Sequence, residues 1–207
     1  MDAGRQRSTR RKYPILSMNT FMSRVRQDLV CHDPMQISGG RSKLWVIAWY
    51  LVKIAFISNA LPWSNRFKAS ILKLFGASVG NGLLLKPKVN VHLPWKLAIG
   101  DYTWIGEDVM IINFAEVQIG SHCCISQRAF LCTGNHDFRD PSMPFRNAPI
   151  TIKDGAWVGA QSFVAPGVTI GTDCVITAGS VVLEDMPDNM ICSGNPCRPI
   201  KPRWKQK

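Results

Sequence analysis

The chain has 207 residues, 46% hydrophobic and 19% charged, with a formal charge of +11 at neutral pH. That length suits one domain with a terminal extension, and that apolar content excludes a wholly disordered chain. The charge is uneven: residues 79–190 hold seven Lys or Arg against eleven Asp or Glu, a balance of −4, whereas the two ends hold eighteen against three, a balance of +15.

Segment 1–40 opens with the basic run RQRSTRRK at 5–12 and is expected to be a solvated, partly disordered end. Together with KPRWKQK at 201–207 it also suits an anionic partner: acidic lipid, a phosphorylated cofactor or nucleic acid. No nucleic-acid-binding motif accompanies the charge, so no nucleic-acid partner is expected. The basic start is not followed by an apolar run at signal-peptide distance. Seven cysteines, an odd number without a CxxC pair or zinc spacing, point to a reduced, cytoplasmic protein.

Segment 41–76 reads as helical. Its core, LWVIAWYLVKIAFISNAL at 44–61, is interrupted by Lys53 and is short for a full membrane span. It is expected either to pack on the body of the protein or to lie on a membrane surface, which would place the protein at the inner face of a membrane.

Segment 77–190 repeats every six residues. VGNGLL, LKPKVN and VHLPWK run from residue 79; after a two-residue slip come IGDYTW, IGEDVM and IINFAE from 99. A second slip leads to IGSHCC and ISQRAF from 119. The repeat breaks at LCTGNHDFRD (131–140), leaving a loop at 132–151. It resumes at 152 as IKDGAW, VGAQSF, VAPGVT, IGTDCV and ITAGSV. Each unit opens with Ile, Val or Leu, glycine often follows, and the fifth residue is small or β-branched. A six-residue period does not fit a helix of 3.6 residues per turn. It fits short strands in which the fifth, sixth and next first residues point in, out and in, with glycine relieving the backbone at the corner. Stacked in parallel, such strands bury a core that no single repeat could bury. The expected fold is therefore an all-β solenoid with an N-terminal helical segment and a short basic tail at 191–207. The large outward residues Trp104, Met110, Phe130, Trp157 and Phe163 need cover, expected from a neighbouring subunit or the helical segment.

These repeats, with CISQRAFLCTGNHDF and the ending GNPCRPI, resemble the hexapeptide-repeat acyltransferases across roughly residues 74–200, and within them the colanic acid biosynthesis (WcaF-like) acetyltransferases. The resemblance implies a left-handed parallel β-helix and a homotrimer with active sites in the clefts between subunits. It also implies acetyl-CoA as donor and a saccharide hydroxyl as acceptor.

His136 stands where the repeat opens, and a histidine titrates near the working pH, so it is the expected general base, with Asn135 or Asp137 orienting its ring. By the resemblance, Asn113 lies near the acetyl group or acceptor, with a structural asparagine at a solenoid corner as the alternative; Ala160 and Ala178 let pantetheine approach the main chain, and Arg198 and Lys201 meet the phosphates. Leu183 stands where the family often has Thr, so one contact to the adenine end is missing. Arg128, Arg139 and Arg146 flank the loop. His32, His92 and His122 are expected to be exposed and without a catalytic part. No two histidines are spaced to bind zinc, and no metal is expected. The rival readings are an amine or another small-molecule acceptor, and a non-catalytic β-helix scaffold.

Overall fold

The structure, a computed structural model, describes residue 27 and residues 38–205. The expectations for the basic run 5–12 and for His32 lie outside these residues. Almost every hexapeptide yields one short strand made of its sixth residue and the first of the next, and these strands stack into a three-sided prism. Face A holds Ser78–Val79, Leu97–Ile99, Val117–Ile119, Ile150–Ile152 and Thr169–Ile170. Face B holds Leu84–Leu85, Trp104–Ile105, Cys124–Ile125, Trp157–Val158, Val175–Ile176, Met190–Gly194 and Cys197–Pro202. Face C holds Asn90–Val91, Met110–Ile112, Phe130–Cys132, Phe163–Val164 and Val181–Val182. All pairings are parallel until Cys197–Pro202 folds back antiparallel on Met190–Gly194, so much of the expected basic tail is a closing hairpin.

The in–out rule holds in the burial. The leading residues Ile105, Ile125, Val158 and Ile176 are fully enclosed, as are the fifth-position Val89, Val109, Ala129, Ala156 and Cys174. Of the outward residues, Trp104, Met110 and Trp157 are exposed, whereas Phe130 and Phe163 are half-buried and meet edge to face at 5.4 Å.

Corner geometry corrects one expectation. The left-handed backbone (positive φ) falls on the fourth residue of the unit, as at Tyr102, Asp108, His122, Gln161 and Asp173, not on the second-position glycine. That glycine answers a different demand: a Cβ on Gly106 would come within 2.5 Å of the Gln127 amide nitrogen in the next coil, and one on Gly159 within 2.5 Å of the Ala178 nitrogen. Close approach between coils, not backbone strain, selects it.

Helix α1 (Lys43–Val52) runs into a π-helical turn (Lys53–Ile57) and is followed by α2 (Asn65–Leu74). Ser42 and Ser64 cap the two α-helices through their side chains. Together they close the first coil, whose strand edges would otherwise be left unpaired. The Trp49 indole donates to the Val91 and His92 carbonyls at 3.3 and 3.0 Å, and Ser58 donates to Val89 at 3.1 Å. The Lys88 amide donates to Asn59, the Leu85 amide to the Asn65 side chain, and Lys68 to the Leu85 carbonyl. Lys53, the charge that interrupts the apolar run, is also turned inward: it donates to Asn90 at 3.1 Å and lies 4.2 Å from the centre of the Tyr50 ring. Desolvation lowers the pKa of both lysines. Among the described residues no helix is long and apolar enough to cross a membrane.

Candidate active site

From one face to the next the chain advances six residues, except between faces C and A. There Val91 leads to Ile99, Ile111 to Ile119 and Leu131 to Ile152, while higher up Val164 reaches Ile170 in the regular six. Both slips and the long excursion therefore sit on one corner, stacked over three successive coils.

Asn113 braces that corner. It is fully buried, its Oδ1 accepts from the Leu93 amide at 2.9 Å, and its Nδ2 donates to the Leu93 and Lys96 carbonyls at 2.6 and 3.2 Å. Its amide is thus committed to backbone one coil below, as a structural asparagine at a solenoid corner would be. Thr133 repeats the device one coil up, accepting from the Ala115 amide at 2.9 Å and donating to the Ile112 carbonyl at 3.2 Å.

The excursion is a closed hairpin rather than a loose loop. The Arg146 amide donates to Asn135 at 2.7 Å, the Asp137 amide to Pro144 at 3.0 Å, and the Ala148 amide to Thr133 at 3.1 Å, with His136 bridged antiparallel to Phe145. His136 is half-buried there, and its Nδ1 lies 2.6 Å from the Met143 carbonyl oxygen. A carbonyl only accepts, so Nδ1 carries the proton and the lone pair of the neutral ring sits on Nε2. The Phe145 ring lies against the imidazole with centroids 4.6 Å apart.

The ring is therefore oriented by Met143, where the sequence pointed to Asn135 or Asp137. Asn135 uses its Oδ1 on the backbone amide of His136 at 2.8 Å. Asp137 accepts from Arg139 Nε and Nη2 at 3.0 and 3.1 Å and lies 3.9 Å from Arg146, and the Arg139 guanidinium holds its carboxyl below the usual range. These arginines thus serve the hairpin's own turn, and Arg128 faces Asp108 at 3.9 Å.

His92 also departs from expectation. His122 is exposed as expected, stacked on Tyr102, but His92 is half-buried in the same corner as His136. Its Nδ1 lies 3.2 Å from the Tyr50 hydroxyl, and burial, reinforced by Lys53, lowers its pKa to about 4. Ring contacts climb the corner from Tyr50 to His92 (6.2 Å), Phe114 (4.7 Å), Phe145 (5.7 Å) and His136 (4.6 Å). Sequence reading missed Met143, Phe145 and Phe114; the two slips in the repeat are the signal that marks their corner.

Ala160 and Ala178 lie elsewhere, on adjacent coils at the corner between faces B and C, where the Gly179 amide donates to the Ala160 carbonyl at 2.8 Å. Ala178 and Gly179 are exposed, and a Cβ built on Gly179 would touch nothing within 4 Å, so this corner has room for a narrow chain against the backbone. Face C separates it from His136. Arg198 and Lys201 are exposed on the closing hairpin, with Arg198 paired to Glu184. Leu183 is exposed nearby in sequence. Among the described residues no group of three His, Cys, Asp or Glu is placed to hold a metal ion.

Comparison with known proteins agrees with this architecture. Residues 149–184 match the family described as bacterial transferase hexapeptide (six repeats). The chain is 38% identical over 170 residues to "Putative colanic acid biosynthesis acetyltransferase WcaF" of Escherichia coli K12, covering 82% of this chain and 93% of that protein. It is 33% identical over 148 residues to the galactoside O-acetyltransferase of the same organism, covering 70% and 72% respectively. A galactoside acetyltransferase solved in complex with coenzyme A superposes with a TM-score of 0.71 at 25% identity, covering 84% of this chain and 92% of that one.

Proposed function

This chain belongs to the hexapeptide-repeat acetyltransferases, and on that premise we propose that it transfers the acetyl group of acetyl-CoA to a saccharide hydroxyl in surface polysaccharide synthesis, with His136 as general base. The observation that carries the reading is the bond from His136 Nδ1 to the Met143 carbonyl. It leaves Nε2 as the proton acceptor and, once the imidazolium has formed, keeps its Nδ1 proton bonded to the carbonyl. The saccharide class follows the printed names of the relatives, which cite colanic acid biosynthesis and galactoside O-acetylation.

In the proposed reaction Nε2 takes the hydroxyl proton as the oxygen attacks the thioester carbonyl carbon. Backbone amides stabilise the oxyanion, the C–S bond breaks, and the proton passes from Nε2 to the departing thiolate of CoA. Ala160 and Ala178 would let pantetheine lie against the main chain. Arg198 and Lys201 would meet the phosphates, Arg198 exchanging its surface partner Glu184 for them. Asp137 and Asn113 act at one remove, the first by closing the hairpin that carries the base and the second by bracing the corner beneath it.

The separation of His136 from Ala160 and Ala178 supports a homotrimer, in which one protomer's C–A corner faces a neighbour's B–C corner. The exposed Trp104 and Trp157 on face B would gain cover in such an assembly. His136→Ala is expected to lower turnover by about 10²–10⁴-fold while leaving acetyl-CoA binding and sedimentation unchanged. Thiol release measured across sugars and amines reads both the loss and the acceptor class. Wild-type turnover in the variant would remove His136 as the base, and transfer confined to amines would remove the hydroxyl acceptor.

A further inference from the structure

The helices that close the prism carry an exposed apolar face. Leu44, Ile47, Leu51 and Ile54 are 80, 55, 66 and 64% exposed, and their spacing of three, four and three puts them along one side of α1 and the π-helical turn. The only charged residue in that run, Lys53, is turned inward against Asn90. Beside it, Phe56, Trp63 and Phe67 form a cluster with ring centroids 5.3–5.6 Å apart, and Trp63 and Phe67 are exposed.

The charge around this face has one sign. Residues 38–100 contain nine Lys or Arg and no Asp or Glu, whereas residues 101–190 contain four against eleven. Arg41 and Lys43 stand exposed at the start of α1, Arg66 and Lys73 on α2, and Lys86 and Lys88 on the first coil. The helical end is thus cationic and carries an apolar stripe, the coils above it are anionic, and the closing hairpin and tail at 191–207 add five Lys or Arg at the far end, away from this stripe.

We propose that this helical end docks on an anionic lipid bilayer, with the apolar stripe in the headgroup–acyl boundary and the surrounding cations on the headgroups. Charge complementarity selects this occupant: two copies placed end to end would set against each other two surfaces that, among the described residues 38–100, carry cations and no acid, whereas anionic headgroups compensate them. Length agrees, because ten α-helical and five π-helical residues reach only about 22 Å at most at the α-helical rise, enough to lie in the interface and too few to cross it. Tyr50, on the same helix, is the lowest ring of the ladder that ends at His136. Docking would therefore hold the candidate active-site corner close above the membrane, within reach of a lipid-carried acceptor. That consequence rests on the function proposed above; the docking itself does not.

The test is co-sedimentation of the full chain with phosphatidylcholine vesicles with and without about 30% phosphatidylglycerol. The expected result is binding to the anionic vesicles alone, weakened when NaCl is raised from about 0.1 M to about 0.5 M. The double variant Ile47→Glu/Leu51→Glu, altered at two exposed positions, should bind at least tenfold more weakly with an unchanged sedimentation coefficient. No preference for anionic vesicles would overturn the proposal. So would wild-type binding by the double variant, which would assign the attraction to the basic termini. A drop in assembly size in the variant would assign the face to a second copy. None of these readouts depends on acetyl transfer, so the docking and the enzymatic reading fail separately.

Discussion

At the lower levels of the prism the corner between faces B and C is the same turn repeated, while the corner between faces C and A is rebuilt at each coil. The B–C corner turns with a left-handed fourth residue and, at Gly106 and Gly159, a glycine packed against the backbone of the coil above. The C–A corner carries two-residue insertions at the first two levels and a hairpin at the third, held by Asn113, Thr133 and stacked rings. Regularity makes the first corner a surface along which an extended molecule can lie at any level. Irregularity makes the second a place where one side chain is held at one height. A repetitive scaffold gains a distinct site only where the repeat is broken and the break is braced.

Four substitutions probe that contrast. The largest effect is expected from Asn113→Ala, which leaves the Leu93 amide and the Leu93 and Lys96 carbonyls without their buried partner. A loss of about 3–4 kcal/mol follows, or roughly 10 °C in Tm by calorimetry. A variant with wild-type Tm and abolished turnover would show instead that Asn113 acts on substrate, and the brace would disappear from the comparison.

Next comes Gly159→Ala at the regular corner. Its methyl group would lie 2.5 Å from the Ala178 nitrogen and 2.6 Å from the Ile176 oxygen, both backbone atoms, for a cost of about 2–3 kcal/mol in chemical denaturation. The matching change at the rebuilt corner, Gly134→Ala, meets a Phe114 ring carbon at 2.7 Å, and a side chain can turn aside. It should cost about 1 kcal/mol or less. Equal losses at the two positions would contradict the view that only the regular corner is fixed by coil-to-coil backbone contact.

An effect of similar small size concerns pH. The folded-state pKa of His92 is lowered to about 4 from the ordinary 6.5. Between those values the unfolded chain takes up a proton that the folded chain refuses, so this group lowers stability as pH falls from 6.5 toward 4. Allowing for partial solvent exposure, the loss by pH 5 is about 1 kcal/mol. His92→Phe keeps a ring beneath Phe114 and should flatten that part of the stability profile. An unchanged slope would place His92 outside the buried ladder.

Much of the scaffold was legible in the chain. The period of six names the strands, their inward residues and the break that carries His136, because each side chain's direction follows from its place in an alternating strand. The slips before 99 and 119 were visible as interruptions. That they stack with the break into one corner emerges only when the coils are laid on one another. The orienting atom of His136 was not legible, because it is a backbone carbonyl and any residue type at 143 supplies one. His92 was misjudged for a related reason: its position in the hexapeptide is outward, and its burial comes from Tyr50 and Phe114 in other elements.

The amino-acid sequence by itself determined the repeat, the inward-facing core, the family and the residue with the chemistry of a base, all of which depend on local alternation and residue type. Tertiary structure alone decided which atom holds the His136 ring, that Asn113 spends its amide on backbone, that Lys68 meets a strand-edge carbonyl and that Lys53 turns inward to the Asn90 side chain. It also decided that the apolar stripe of α1 faces outward from a cationic end. These are relations between residues that lie far apart in the chain or that act through backbone atoms, and only the folded coils set their distances.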